Sequence, residues 1–261
     1  MESAHRNGVL SAASLAVGAP AAADAVARAR RLPKLRVGLH LVLVDGDPVL
    51  HRAEIPDLVD GDGRLRNDLA RFGTQIMVNG AVRRQVENEI AAQFEAFAAT
   101  GLDLDHVNAH KHFQLHPAVA AAIIAVGSRY RMHALRVPVE PRRIVVAVDP
   151  RTPRGLSLVT APWANLLHRR ARSAGLRVAD AVFGLAWTGA MTAARLAALL
   201  ARLPGGLVEI YLHPARSGAF AGAAPNYRYA EEFAALCDPA CKAALAESGC
   251  TLGGYADAAH G

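Results

Sequence analysis

The stretch from Leu104 to Pro117 reads LDHVNAHKHFQLHP, and the interpretation of the whole chain starts from it. Polar side chains occupy every second position of this stretch: His106, Asn108, His110, His112, Gln114 and His116. Side chains at alternate positions of a β-strand point to the same face. As far as a strand extends here, one polar face is expected. Such a face must meet water, a metal or a substrate.

Short apolar runs alternate with longer amphipathic stretches on both sides of this segment. The apolar runs include SLAVGA, LRVGLHLVLV, ALRVPV and LVEIYLHP, and the stretches between them include alanine-rich ones with helical character. This alternation predicts parallel strands connected by helices, in an α/β sheet or barrel. With 261 residues, of which 52% are hydrophobic, we predict a single domain over residues 1–261.

Composition limits the classes of partner and compartment. The net charge of +6 comes with arginines scattered along the chain rather than gathered in one run, so we predict no nucleic-acid partner. The three cysteines, Cys237, Cys241 and Cys250, form no CxxC pair and indicate a reducing compartment. The opening segment is not typical of a signal peptide, and no apolar run is long enough to span a bilayer. We expect a cytoplasmic, soluble protein that contacts membranes only at its surface.

Histidines near the ends of predicted strands are the first candidates for chemistry. His110 and His112 flank Lys111 in an HxH pattern, which can offer two neutral imidazoles to one metal ion. His40 lies in the apolar segment VGLHLVL, where a histidine is costly unless it is paired or ligated. His213 follows another predicted strand, in EIYLHPA. The alternatives are a hydrogen-bonded core histidine for His40 and a loop histidine without a role for His213.

Charged residues in or beside predicted strands are the second group of candidates. A buried Arg136 in ALRVPV would need a carboxylate or a substrate oxygen, and Glu140 follows it closely. Glu209 in LVEIYLHP is another charge in a strand, and an ion pair with Arg136 is the structural alternative. Asp105 is predicted to point to the face opposite His106, and it could orient an imidazole. We expect Asp105, Glu140 and Glu209 to contact substrate or to support the site.

Four segments, in this order and spacing, resemble the YdjC-type, chitooligosaccharide deacetylase-like carbohydrate deacetylases: GLHLVLVDG, LDHVNAHKHFQLHP, LRVPVEP and VEIYLHPA. The stretches AASLAVGAPAAADAVARARRLP, VGLHLVLVDGDPVL and FEAFAATGLDLDHVNAHKHFQLHP are most similar to the hopanoid-biosynthesis (HpnK) branch. The resemblance implies a distorted βα barrel and a divalent metal, Zn or Mg, held by an aspartate and two histidines. It also implies hydrolysis of the acetamido group of an N-acetylglucosamine-type sugar, on a glycosylated hopanoid lipid in this branch.

The resemblance also implies roles for individual residues. His40 corresponds to the first histidine ligand of the metal and His110 to the second, with His112 as the alternative to His110. Arg136 corresponds to an arginine that orients substrate or a carboxylate. His213 falls on the histidine that is expected to donate a proton to the departing amine.

One departure from the family pattern affects the expected activity. Family members open with a strand that ends in an Asp-Asp-Phe-Gly turn, whereas this chain opens with MESAHRNGVL, which resembles the helix after that turn. We therefore expect the first strand and both of its aspartates to be missing, with weak metal binding and little activity as the result. The exposed strand edges would favour homo-oligomers. Alternative hypotheses are a catalytically inactive sugar- or lipid-binding remnant and a barrel hydrolase of another kind, such as a phosphoesterase.

Overall fold

The computed structural model describes residues 1–153, 157–220 and 222–258. These residues form parallel strands and connecting helices, which confirms the predicted α/β class. The strands are β1 (Ala12–Leu15), β2 (Arg36–Leu41), β3 (Leu104–Ala109), β4 (Ala181–Phe183) and β5 (Val208–Ile210). The helices are α1 (Glu2–Asn7), α2 (Ala22–Ala29), α3 (Leu69–Val78), α4 (Gly80–Ala99), α5 (Pro117–Arg129), α6 (Arg142–Val148), α7 (Ser157–Ser173), α8 (Ala193–Leu200), α9 (Tyr229–Cys237) and α10 (Pro239–Glu247). A 3-10 helix, His110–Leu115, follows β3.

The chain divides into two compact units, and each of them is built from separate segments. The first, which we call the sheet unit, contains Ala12–Val137 and Trp163–Val178. The second, which we call the C-terminal unit, contains Met1–Ser11, Pro138–Pro162 and Ala179–Gly261. A single domain over residues 1–261 stays a prediction.

In the sheet unit, the strands β1, β2 and β3 are parallel neighbours in chain order. Parallel bridges continue this order from Val107 to Leu135 and from Ala134 to Arg177. Each segment of the sheet therefore lies beside the segment that precedes it in sequence. The carboxyl ends of all these segments meet at one edge, which is where parallel α/β sheets place their functional groups.

The pairing of β2 with β3 contains one irregularity, at Gly38. The register shifts between Val37 and Leu39, so that two residues of β3, Asp105 and His106, stand opposite Gly38 alone. An extra residue of this kind interrupts the alternation of side chains along a strand. Asp105 and His106 are therefore not required to point to opposite faces.

Helix α4 covers the sheet unit with one apolar side. It contacts β2, α3 and α5, and its buried apolar residues recur at helical spacing: Val82, Val86, Ile90, Phe94 and Phe97. Helix α5 begins with Pro117 at its first position, and the side chain of His116 caps it by accepting from the N–H of Val119. His116 therefore has a structural role at the start of α5.

In the C-terminal unit, β4 and β5 form a parallel pair, and helix α8 contacts α6, α9 and α10. Its core is formed mainly by buried aromatic and aliphatic side chains, among them Phe183, Trp187, Met191, Leu196, Leu199 and Leu236. No helix in the described part of the chain has the length and apolar character needed to cross a membrane.

Candidate functional site

Two histidine rings lie side by side at the carboxyl edge of the sheet unit. His40 is the penultimate residue of β2, and His110 directly follows β3. Their ring centroids are 5.7 Å apart, with an angle of 77° between the ring planes. The fold thus brings together the two imidazoles that the sequence analysis paired. Their role as metal ligands stays a prediction.

The electrostatic surroundings of His110 favour a neutral ring. Burial lowers the pKa of His110 below its ordinary value, and the ammonium of Lys111 lowers it further, while Asp45 partly opposes these effects. Asp45 accepts a hydrogen bond from Nζ of Lys111 at 2.5 Å, and this contact holds the pKa of the Asp45 carboxyl below its usual range. The neutral imidazole is the form that can bind a metal ion.

The alternation predicted from the sequence ends with β3 at Ala109. In the 3-10 helix that follows, Lys111 and His112 have φ angles of 52° and 53°. Such left-handed backbone breaks the regular alternation of a strand. The prediction that His110 and His112 share a strand face is therefore wrong. The part of His112 as an alternative metal ligand stays a prediction.

A chain of four hydrogen bonds, which we call the polar chain, connects His40 to the interior of the sheet. Nδ1 of His40 lies 2.5 Å from Oδ1 of Asn108, and Nδ2 of Asn108 donates to Oγ of Ser14 at 2.7 Å. Oγ of Ser14 lies 3.0 Å from Nε2 of His106, and Nδ1 of His106 lies 2.8 Å from Oδ2 of Asp105. Asn108, His106 and Asp105 are buried. The polar chain thus crosses all three strands.

Gly38 makes the polar chain possible. Ser14 of β1 pairs with Gly38 of β2, and the ring of His106 from β3 crosses over Gly38 to reach Ser14. A Cβ atom at position 38 would lie 2.5 Å from Nε2 of His106. The register shift at Gly38 also brings the carboxylate of Asp105 to the ring of His106, so the prediction of opposite faces is wrong. Asp105 does contact an imidazole, as expected of an orienting residue.

Helix α4 fixes the segment that follows β2. Gln93 accepts from the N–H of Val42 at 2.9 Å and donates to the carbonyl oxygen of the same residue at 2.6 Å. Glu89 accepts from the N–H groups of Val49 and Leu50 at 2.8 and 3.0 Å. Burial raises the pKa of Glu89, and these hydrogen bonds oppose that rise. The backbone on the carboxyl side of His40 is therefore held by buried polar side chains.

Arg136 is buried, with 9% of its surface exposed. Its backbone N–H donates to the carbonyl oxygen of Val107 at 2.9 Å, which places it beside β3. Gln114, fully buried, donates from Nε2 to the carbonyl oxygen of Arg136 at 3.4 Å. These contacts connect the 3-10 helix and β3 to the segment that contains Arg136. The orienting role of the Arg136 side chain stays a prediction.

In the C-terminal unit, the carboxylate of Glu140 is bound by backbone. It accepts from the N–H groups of residues 184–186, directly after β4, at 2.9 to 3.0 Å. Burial raises the pKa of Glu140, and these three bonds oppose the rise. Glu209 accepts from the hydroxyl of Tyr255 at 2.7 Å. Of the two roles predicted for Glu140, support of the structure fits this geometry better than contact with substrate.

His213 lies after β5, among aromatic rings. Its ring centroid is 5.7 Å from that of Tyr211 and 5.0 Å from that of Tyr227. The side chain is 39% exposed. His213 can therefore exchange protons with solvent or with a bound molecule while its ring is confined by two tyrosines.

The carboxylate of Glu232 contacts His213, and the sequence analysis did not identify this residue. Its carboxylate is 1% exposed. It accepts from the backbone N–H of His213 and, at 3.0 Å, from that of Met191. Oε2 of Glu232 is 4.0 Å from Nδ1 of the His213 ring. Burial raises the pKa of Glu232, and the two backbone bonds oppose the rise.

The donor set fits a metal ion only in part. Across residues 1–153, 157–220 and 222–258, no three His, Cys, Asp or Glu side chains are grouped so that they could hold a metal. A zinc site typically uses three or four protein ligands. His40 and His110 can supply two, so water, substrate oxygens or groups outside the described set would have to complete the coordination.

The strands are parallel and pair in chain order, and the candidate site residues lie at their carboxyl ends. This arrangement is typical of α/β proteins, which place their functional residues in the loops after the strands. A sequence model described as the YdjC-like protein family matches residues 1–247. The chain belongs to the YdjC-like family.

Several named relatives are similar to this chain in sequence, and one solved structure is similar to it in fold. A carbohydrate deacetylase of Geobacillus stearothermophilus is 30% identical over 252 residues, which are 95% of this chain and 86% of the relative. Carbohydrate deacetylases of Brevibacillus brevis and Vibrio vulnificus are 38% and 36% identical over 129 residues. That stretch is 49% of this chain and spans about half the length of these two relatives. The crystal structure of a putative cellobiose-phosphate cleavage protein from Enterococcus faecalis superimposes with a TM-score of 0.73 and 22% identity, covering 98% of this chain and 90% of that one.

Proposed function

We propose that this protein is a carbohydrate N-deacetylase, which uses a divalent metal to hydrolyse the acetamido group of an N-acetylglucosamine-type sugar. The observation that carries the proposal is the pair of rings of His40 and His110, 5.7 Å apart at the carboxyl edge of the sheet. The relatives named carbohydrate deacetylase support the reaction class.

His40 and His110 would hold the metal, Zn²⁺ or Mg²⁺. Burial lowers the pKa of His110, so its ring keeps a lone pair for a metal at neutral pH. A bound divalent ion polarises an acetyl carbonyl and stabilises the charge that develops on its oxygen. Arg136 is the residue that we propose to orient the substrate or a carboxylate through its guanidinium.

His213 is the proposed proton donor to the departing amine. A donor must reach the substrate and must carry a positive charge before it gives up its proton. The exposed fraction of 39% meets the first condition. The carboxylate of Glu232, 4.0 Å from Nδ1, supports the second, because an ionised carboxylate at this position would favour the charged form of the ring. Tyr211 and Tyr227 confine the ring.

We further propose that the strands β1, β2 and β3 belong to a distorted βα barrel. Their parallel order supports the barrel, because barrels of this type are built from parallel strands joined by helices.

For the substrate, we propose an acetylated amino sugar carried on a hopanoid lipid. Three apolar side chains of α3 are exposed, Leu69 at 37%, Met77 at 52% and Val78 at 78%, and exposed apolar groups of this kind can contact lipid. The glycolipid should be deacetylated faster than a soluble chitooligosaccharide. Replacement of Met77 and Val78 by serine should remove this preference and leave the soluble reaction unchanged.

The decisive experiment measures acetate release from an N-acetylglucosamine oligomer, with zinc or magnesium added and with a chelator. We expect metal-dependent release that His40→Asn or His110→Asn abolishes. His51→Asn, which replaces an exposed histidine, is the matched control and should behave as wild type. Sugar binding without acetate release would indicate an inactive remnant. Turnover of a phosphate ester instead would indicate a phosphoesterase.

A further inference from the structure

We propose that Asp105, His106, Ser14 and Asn108 act together as positioning residues that fix the tautomer of His40, with the proton on Nδ1 and the lone pair on Nε2. The inference deepens the proposed function and rests on it for one consequence only, the binding of metal by Nε2. The tautomer itself can be measured without metal.

The assignment of donors and acceptors along the polar chain begins with Asp105. An ionised carboxylate can only accept hydrogen bonds, so Nδ1 of His106, 2.8 Å away, must carry a proton. The other nitrogen of a neutral His106 then holds a lone pair. It accepts the hydroxyl proton of Ser14, whose oxygen is 3.0 Å away.

The direction is transmitted to His40 through Ser14 and Asn108. Once the hydroxyl proton of Ser14 is donated, its oxygen can only accept, so the contact at 2.7 Å requires the amide nitrogen of Asn108 as donor. This orientation turns Oδ1 of Asn108 towards His40. An amide oxygen can only accept, so Nδ1 of His40, at 2.5 Å, carries the proton.

The surroundings of the polar chain explain why this order should persist. The neighbouring strand residues Leu39, Leu41 and Val107 are 0% exposed. Within the polar chain, Asn108 and His106 are buried, whereas Ser14 is exposed. At the buried members, a polar group without a partner costs about 1–3 kcal/mol, so the orientation that satisfies their donors and acceptors is preferred. His40 of β2 is paired with Asn108 of β3, and this pairing keeps the two side chains of the last hydrogen bond together.

The order Ser14, His106, Asp105 is also that of a serine nucleophile with its base and orienting acid. The donation from Asn108 to Ser14 distinguishes the two interpretations, because it continues the chain to His40. An orienting chain predicts no covalent labelling of Ser14 by a fluorophosphonate probe. Stoichiometric labelling of Ser14 would overturn the proposal.

The main test is nitrogen NMR of the histidine rings in the metal-free protein at pH 8. In wild type, His40 should show the Nδ1-protonated tautomer. Ser14→Ala removes the acceptor for the Asn108 amide, which can then rotate, and a mixture of tautomers is expected at His40. Ser11→Ala removes a hydroxyl outside the polar chain and should match wild type. An Nε2-protonated His40 in wild type, or an unchanged tautomer in Ser14→Ala, would overturn the proposal.

Replacements of Asn108 keep the proposal testable if Ser14→Ala does not fold. Asn108→Asp retains an acceptor for Nδ1 of His40 and should preserve the tautomer, whereas Asn108→Leu should not. A tautomer that is the same in both variants would contradict an orienting role.

Zinc titration separates this inference from the proposed function. Removal of an orienting partner of a ligand typically weakens metal binding about 10–100-fold, and we expect a loss of that size in Ser14→Ala but not in Ser11→Ala. If wild type shows the expected tautomer and binds no zinc, the proposed function fails and the positioning chain stands. If zinc binds through His40 with equal affinity in both serine variants, the positioning chain fails and the proposed function stands.

Discussion

Replacement of Gly38 by alanine tests the packing on which the polar chain depends. The added Cβ would lie 2.5 Å from Cε1 and Nε2 of His106 and 2.6 Å from its carbonyl oxygen. The ring must move away, which breaks its hydrogen bond to Ser14 at a cost of about 1 kcal/mol. Overpacking adds about 1–3 kcal/mol to this destabilisation. Alanine loses less backbone entropy on folding than glycine does, which offsets about 0.5–1 kcal/mol. We expect Gly38→Ala to lower the free energy of unfolding by about 1–3 kcal/mol.

Urea denaturation, followed by circular dichroism, measures this change, and Gly61→Ala is the matched control. A Cβ at position 61 would meet no atom within 4 Å, so this variant should stay within about 0.5 kcal/mol of wild type. In a His106→Ala background, the cost of Gly38→Ala should shrink, although the carbonyl oxygen of residue 106 remains as a smaller obstacle. If Gly38→Ala is as stable as Gly61→Ala, the His106 ring does not lie across Gly38.

Three further predictions concern other parts of the molecule. Glu140→Gln turns an amide N–H towards backbone N–H groups and should lower the free energy of unfolding by about 1–3 kcal/mol in urea; an unchanged midpoint would contradict the structural role of the carboxylate. Burial lowers the pKa of His110 and His116 below 6.5, so the unfolded chain binds more protons than the folded one, and these groups should reduce stability as the pH falls below about 6.5. Urea denaturation at several pH values between about 5 and 8, the range in which histidine titrates, measures this loss of stability. The free energy of unfolding should fall less steeply with pH in His116→Asn than in wild type, and an identical slope would contradict a lowered pKa of His116. His213→Gln should reduce kcat for acetate release by about 10²–10⁴-fold with a smaller change in KM, and wild-type kcat would exclude His213 as the proton donor.

The sequence predicted those features that depend on local pattern or on the rules of parallel sheets. Alternation of apolar runs with helical stretches predicted the α/β class. The resemblance to the carbohydrate deacetylases predicted that His40 and His110 belong to one site, and the structure places their rings 5.7 Å apart.

The sequence did not predict what depends on register and backbone geometry. The extra residue of β3 opposite Gly38 placed Asp105 beside the ring of His106, and left-handed backbone at His112 ended the alternation. Ser14 was not recognised because its contacts are to residues more than 90 positions away. Glu232 left a weak signal, since it lies on the buried side of α9.

Titration of the metal-free protein with zinc, followed by calorimetry, tests the central claim most directly. The account predicts binding that is lost in His40→Asn and in His110→Asn and kept in His51→Asn. Zinc affinity that is unaffected by replacement of His40 and His110 together would contradict the account.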